Sequence, residues 1–293
     1  MTTSLFISNE SVKIAAGEHS GKKIKVKTII NEQLDEGIMI NGVIMDAPRL
    51  KTVLESVWKK NKSLSKKVNL TIDSSSLITK ILEVPLLNES KLMTYISQNF
   101  QDIENYENML LDYMVLEPHT ESGGASVLAV LAEKDFISEY TELLSSLGIK
   151  INKIDISLSC LIRIISFTKG KLGNTYIAAV FDKNIVVLVL FVNGKFRFSR
   201  RIRIVSEINS EEMFDELVKI LSNMIQFNKS EKTNSDITDI YMCGFLSQEN
   251  QIYKQLSDSL DVKVSAFPRI GNVLMPEGFH EGDFMYPAGN LIK

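Results

Sequence analysis

The sequence predicts an α/β fold of two related lobes, each built on a sheet, and three features carry that expectation. Short β-branched runs alternate with stretches whose apolar residues recur at helical spacing. The order three strands, helix, strand occurs twice, from Ser4 and again from Tyr176, and an approximate repeat of this kind points to a duplicated sheet domain around a cleft. Each repeat opens on paired strands joined by a polar turn: Ser8, Asn9, Glu10 and Ser11 in the first, Asp182, Lys183 and Asn184 in the second.

Within the first lobe, residues 4–30 hold three strand-like runs, with Gly21-Lys22-Lys23 as the turn between the second and third. Asp46-Ala-Pro-Arg49 starts a helix, because Pro48 in the first turn forfeits no hydrogen bond. Leu50, Val53, Leu54, Val57 and Trp58 follow at helical spacing. The basic run Lys59, Lys60, Lys62, Lys66 and Lys67 reads as the solvated end of that helix, whose dipole favours cations; a phosphate-binding patch is the alternative. Residues 68–72 read as a buried strand. From about 78 to 136 the rhythm becomes an α+β module: a strand ending at Val84-Pro85, a helix at 89–100, and strands at 111–116 and 127–132 around Gly123-Gly124. An amphipathic helix over 133–147 stops at Gly148, where left-handed backbone costs little. A strand at 149–156 and a short helix at 159–167 complete the lobe.

The second lobe opens with strands at 176–181, 185–192 and 196–204, the last two joined by the hairpin signal Asn193-Gly194. A helix over 211–227 carries Met213, Leu217, Ile220, Leu221, Met224 and Ile225 on or near one stripe, and its methionines read as core filling. Strand 239–243, helix 250–260, strand 262–266 and a tail rich in Gly and Pro follow. Alternation sets Arg197, Ser199, Arg201 and Arg203 on one face of the 196–204 strand, with Phe196, Phe198, Ile202 and Ile204 on the other and Arg200 among the apolar set. That arginine face is either solvated or a partner or phosphate surface, since guanidinium groups bind carboxylate and phosphate bidentately.

Composition narrows the function. The chain has 33 basic and 36 acidic residues, a formal net charge of −3, which implies no general attraction to nucleic acid. Cys160 and Cys243 lie far apart in apolar sequence and read as buried, reduced thiols. No signal peptide is expected at the start. The most hydrophobic run, 176–192, is interrupted by Asp182, Lys183 and Asn184, so it suits two buried strands better than a membrane span. A cytosolic protein is expected, placed at a membrane only through partners.

Few residues suggest chemistry. Asp182 ends a buried strand and could position Mg²⁺ through water; a turn in which it bonds its own backbone is the alternative. Lys13 and Lys183 could meet phosphate. Neither GxxxxGK[ST] nor a strand followed by GxGxxG occurs. His19, His119 and His280 have no metal-ligand spacing, Ser247 lacks the GxSxG surround of a nucleophile, and no catalytic constellation emerges.

The ordered pieces Ser11-Val-Lys-Ile14, Gly42-Val-Ile-Met-Asp46, Ile81-Leu-Glu-Val-Pro85, Leu147-Gly-Ile149, Ile154-Asp-Ile156, Val192-Asn-Gly-Lys195, Phe198-Ser-Arg200 and Ala288-Gly289 resemble the PilM family of type IV pilus assembly over nearly the whole chain. The resemblance implies an actin-like (ribonuclease H-like) two-lobed fold, with lobes at 1–175 and 176–293 and an inserted α+β subdomain at about 78–136. It implies ATP between the lobes, Mg²⁺ beside two acidic phosphate loops, and a groove for the cytoplasmic peptide of the membrane protein PilN. Carried onto this chain, a nucleotide would meet Ser8, Asn9, Ser11, Lys13, Asp182, Asn184 and Gly244, with Asp182 holding Mg²⁺ through water. The peptide would meet Ile78, Ile81, Leu111, Tyr113, Val127 and Leu131. This sequence departs from the family where the first loop lacks its acidic residue and glycines, where Lys183-Asn184 replaces a small turn, where Cys243-Gly244-Phe245 keeps one glycine of a pair, and where the second lobe is short. The expectation is therefore a scaffold that binds a PilN-like tail, with no cofactor required and no ATPase activity; an ATP/Mg-dependent switch is the alternative.

Overall fold

The computed structural model describes residues 1–21, 23–118, 123–167, 172–207, 210–231, 235–244, 249–279 and 281–292. Lys22, His119, Phe245, Ser247 and His280, which figure in the patterns above, lie outside them.

The chain opens with β1 (Thr2–Ile7), β2 (Ser11–Ser20) and β3 (Lys23–Gln33), then a hairpin of two short strands, β4 (Met39–Ile40) and β5 (Val43–Ile44). Helix α1 (Ala47–Lys60), β6 (Lys67–Ile72), β7 (Ile78–Val84), α2 (Glu89–Gln98), β8 (Met109–Pro118), β9 (Ala125–Glu133), α3 (Lys134–Ser146), β10 (Lys150–Ile156) and α4 (Ser157–Ser166) follow. The remainder is β11 (Tyr176–Asp182), β12 (Ile185–Val192), β13 (Lys195–Arg203), α5 (Glu211–Ser230), β14 (Asp239–Cys243), α6 (Glu249–Leu260), β15 (Lys263–Ala266), β16 (Val273–Leu274) and α7 (Met285–Gly289). The strands form sheets ordered β10-β6-β1-β2-β3-β16, β13-β12-β11-β14-β15 and β7-β9-β8, besides the β4-β5 hairpin.

Local chemistry explains where the helices start. Asp46 caps α1 by accepting from the Arg49 amide at 3.0 Å, Pro48 lies in its first turn, and Lys59 and Lys60 sit in its last. Ser210 caps α5 in the same way through the Met213 amide at 3.1 Å, ahead of Glu211 and Glu212. Among the described residues no helix is long and apolar enough to cross a membrane.

Two compact units divide the chain: residues 1–4, 13–30 and 160–293 form one, residues 5–12 and 31–159 the other. In the first, β12 is buried along its whole length and β11 up to Phe181, so both read as unbroken apolar runs rather than alternating ones. One face of their sheet, with Ile177, Ala179, Leu188 and Leu190, packs against Met213, Leu217, Leu221 and Met224 of α5 and Tyr253 and Leu256 of α6. The methionines of α5 are core, as the stripe suggested. The other face carries Tyr176, stacked on Phe191 at 5.0 Å and edge-on to Tyr241 at 5.6 Å. Cys160 and Cys243 are both buried and form no disulfide.

One face assignment changes. Leu190 pairs with Phe198 but Phe191 pairs with Phe196, so the register slips at Arg197. This bulge turns Phe196 away from the helix-covered face and toward Phe191, whose ring it meets at 6.2 Å, while Phe198 and Ile202 pack on the α5–α6 core. Strict alternation grouped all three because an inserted residue breaks the two-residue period.

In the second unit, β6 and β10 run parallel from the Lys67–Lys150 pair to the Ile72–Ile156 pair. The β7-β9-β8 sheet has its own small core, in which Val84, Val127, Ala129 and Leu131 meet Ile96 and Phe100 of α2 and the segment after it.

Candidate functional site

The first polar turn is closed on itself. The Ser8 amide donates to the Ser11 carbonyl at 2.9 Å, and the Ser8 hydroxyl accepts from the amides of Glu10 at 3.2 Å and Ser11 at 3.1 Å. Ser8 and Ser11 are buried. The turn is also anchored from outside: Leu34 donates to the Glu10 carbonyl at 2.8 Å, and Asn9 Oδ1 accepts from the Gly42 amide at 3.2 Å.

Gly42, read above only as the start of a resembling segment, was not assigned to the site. Its φ is +79°, and a Cβ there would lie 2.0 Å from the Asp73 carbonyl oxygen, so no other residue fits. Its carbonyl accepts from the buried Tyr140 hydroxyl. Beside it, Asn41, at φ +52°, exchanges bonds with Ser75, its Nδ2 reaching Oγ at 2.6 Å and its Oδ1 accepting from the Ser75 amide at 3.2 Å. The signal was present in Asn41-Gly42, a dipeptide that favours tight hairpins, but two-residue strands show no periodicity around it.

The second polar turn lies in the other unit. Asp182 pairs with Ile185 across it, Lys183 adopts φ +51°, and the Asn184 carbonyl accepts from the Ile204 amide at 2.7 Å. Lys13, reaching in from β2 of the same unit, places Nζ 2.8 Å from Asp182 Oδ1, and the two side chains are only 12% and 13% exposed. Two site residues predicted separately are thus brought together as an ion pair. Gly244, at φ +72°, lies against the end of β11, where a Cβ would approach the Phe181 carbonyl oxygen to 2.4 Å. Among the described residues no three His, Cys, Asp or Glu side chains are gathered to hold a metal ion.

The residues assigned to a partner peptide all fall on the β7-β9-β8 sheet, on two faces. Val127 and Leu131 are buried, with Ile78, Leu111 and Tyr113 partly buried beside them, in the core shared with Ile96 and Phe100. Ile81 pairs with Leu128, one position out of phase with that set, and is 38% exposed. Near it in register, Met114 also pairs with Leu128. Both β7 and β8 are edges of this sheet.

These sheets, helices and turns define a protein of the actin-like ATPase fold. The chain aligns with a solved Bacteroides thetaiotaomicron protein of that fold and unknown function at a TM-score of 0.55, with 16% identity over 97% of this chain and 94% of the other. It aligns with the ethanolamine utilization protein EutJ from Carboxydothermus hydrogenoformans at 0.52, with 8% identity over 99% and 89%. The model of the type IV pilus assembly protein PilM matches residues 5–199, and the chain belongs to that family. A solved PilM-PilN type IV pilus biogenesis complex contains a chain similar to this one at a TM-score of 0.81, with 15% identity over 99% of this chain and 97% of that one. Curated proteins provide no match.

Proposed function

We propose that this chain is a cytoplasmic adaptor of the type IV pilus assembly platform, one that holds the cytoplasmic tail of a PilN-like membrane protein and needs no ATP hydrolysis to do so. Family membership over residues 5–199 carries the reading, and likeness over 99% of this chain to a chain of a solved PilM-PilN complex supports it. The proposal includes a two-lobed, ribonuclease H-like organisation, with lobes at 1–175 and 176–293, the β7-β9-β8 sheet with α2 as the inserted subdomain, and a shortened second lobe.

The tail is assigned to the β7-β9-β8 sheet. Because five of the six residues named for it pack toward α2, direct contact falls to Ile81 and the two strand edges, where an extended peptide gains backbone hydrogen bonds. Ile78, Leu111, Tyr113, Val127 and Leu131 set the shape of that surface from within.

The nucleotide site of the fold family fits these residues poorly. Phosphate loops work by aiming free backbone amides at the anion, but here the Glu10 and Ser11 amides already donate to Ser8. The carboxylate expected to face Mg²⁺ faces an ammonium group instead. No step is assigned to ATP.

The test is calorimetric titration with a synthetic cytoplasmic-tail peptide of a PilN-like protein, and separately with ATP and Mg²⁺. The peptide is expected to bind, Ile81→Asp to weaken it roughly tenfold or more by burying a charge at the contact, and Asp182→Ala to leave it unchanged. Absence of peptide binding would sink the adaptor reading. Unaltered binding by the Ile81 variant would move the groove elsewhere. Saturable ATP uptake lost in Asp182→Ala would favour an ATP-dependent switch of the same complex.

A further inference from the structure

A cavity of about 430 Å³ lies where α1 ends, in the unit that holds residues 31–159. It shares no residue with the two turns or with the residues assigned to the tail. Its floor is apolar, formed by Leu54, Leu64 and Ile149, which are 0%, 6% and 3% exposed. Trp58 and Leu147 make the walls. The indole is fixed by donating Nε1 to the Ser65 carbonyl at 3.3 Å, and the loop beneath it is tied to β10 by the Lys150 amide, which donates to the Lys66 carbonyl at 2.6 Å. The cavity is therefore preformed, which lowers the entropy lost on binding.

Its rim is cationic. Lys59, Lys62 and Lys66 line the opening, and all three are exposed. None has a carboxylate within 4 Å among the described residues, including Glu55, the one acidic residue of the lining. The helix end explains why lysines are tolerated at Lys59 and Lys60. It does not explain an apolar hollow lined by three lysines that have no ion pair among the described residues, one of which, Lys66, lies beyond the helix, just before β6.

We propose that this cavity docks an acidic, extended protein segment, seating one large apolar side chain against Trp58, Leu64 and Leu147 and setting flanking Asp or Glu carboxylates on Lys59, Lys62 and Lys66. Charge complementarity selects the sign of the partner. Burial selects a peptide over a bilayer, because Leu54, Leu64 and Ile149 are almost fully buried while the three lysines are exposed, so a single side chain reaches them and a flat membrane surface does not. The volume lies within the range of sites that take small ligands or single anchors.

Trp58 is the only tryptophan of the chain, so its fluorescence reports this cavity alone. The 293-residue chain is titrated with the blocked hexapeptide Asp-Glu-Phe-Leu-Glu-Asp, with the same core flanked by lysines, with an acidic peptide whose core is Ser-Ser, and with phosphatidylglycerol vesicles. The acidic apolar peptide is expected to shift Trp58 emission saturably, with a Kd on the order of 100 µM. Both control peptides should bind at least about tenfold more weakly, as should the charge-reversed variant Lys62→Glu/Lys66→Glu, whose surface positions leave the fold intact by circular dichroism. Raising the salt concentration should weaken binding further. No saturable shift, equal binding of the lysine-flanked peptide, an unaffected double variant, or a response to vesicles alone would each overturn the proposal.

Discussion

The Lys13–Asp182 pair shows what a single contact can decide. Two opposite charges mostly shielded from water attract strongly, but each would be costly alone. Asp182→Ala is therefore expected to destabilise the protein by about 2–4 kcal/mol in urea denaturation, through the stranded Lys13 ammonium rather than through lost packing. The double variant Lys13→Met/Asp182→Leu should recover most of that loss; if it is as unstable as the single variant, the pair is not what holds the two side chains in place. Two phenols act in the opposite pH direction from a stabilising carboxylate. Burial, the larger cause, raises the Tyr140 hydroxyl above its ordinary 10.0, with Asp73 and Glu139 adding to it, and burial does the same to Tyr176, with Tyr241 adding to it. A group raised in the folded state contributes fully below its unfolded value and loses that contribution as the pH climbs toward the folded one. The thermal midpoint should thus hold steady as the pH approaches about 10 and fall beyond it, and Tyr140→Phe should soften the fall. A midpoint indifferent to pH above that value would show that neither phenol is buried in solution.

At the scale of elements, the start of α1 is the clearest case of structure written locally. Asp46 supplies the cap and Pro48 the first turn, so Asp46→Ala should cost about 1 kcal/mol while Asp46→Ser costs much less; equal losses would mean that the cap is not the contribution measured. The same local chemistry made the Asn193-Gly194 hairpin, the apolar strands β11 and β12 and the core stripe of α5 readable in advance. What stayed hidden was set by distance or by irregularity. Asp182 and Lys13 are 169 positions apart, and no pattern near either one announces the other. The Arg197 bulge inserts one residue without any glycine or proline to mark it. The six residues assigned to a peptide were carried over from the family resemblance, which points to the strands of a groove but not to which of their faces α2 covers.

For the whole molecule, the question is whether anything other than a protein partner stabilises it. A ligand that binds only the folded state at a hundredfold excess over its Kd adds about 2.7 kcal/mol, which for a chain of this size raises the thermal midpoint by several degrees. Millimolar ATP with Mg²⁺ is therefore a sensitive probe of the nucleotide site. Each in its own unit, the closed Ser8 turn and the Lys13–Asp182 pair predict a shift of less than about one degree, because a phosphate at the turn would have to break the Glu10 and Ser11 bonds to Ser8 and Mg²⁺ at Asp182 would have to separate a shielded ion pair. Opening the pair alone should not restore the site: Lys13→Ala frees the carboxylate of Asp182 but leaves both amides engaged. Replacing Ser8 with Gly together with Lys13→Ala removes both obstacles, and it is this double variant that should show the larger response. A shift of several degrees in the unmodified protein would mean that the turn opens readily and that nucleotide is a true ligand. A response confined to the double variant would identify the Ser8 turn and the Lys13 ammonium as the two features that keep nucleotide out.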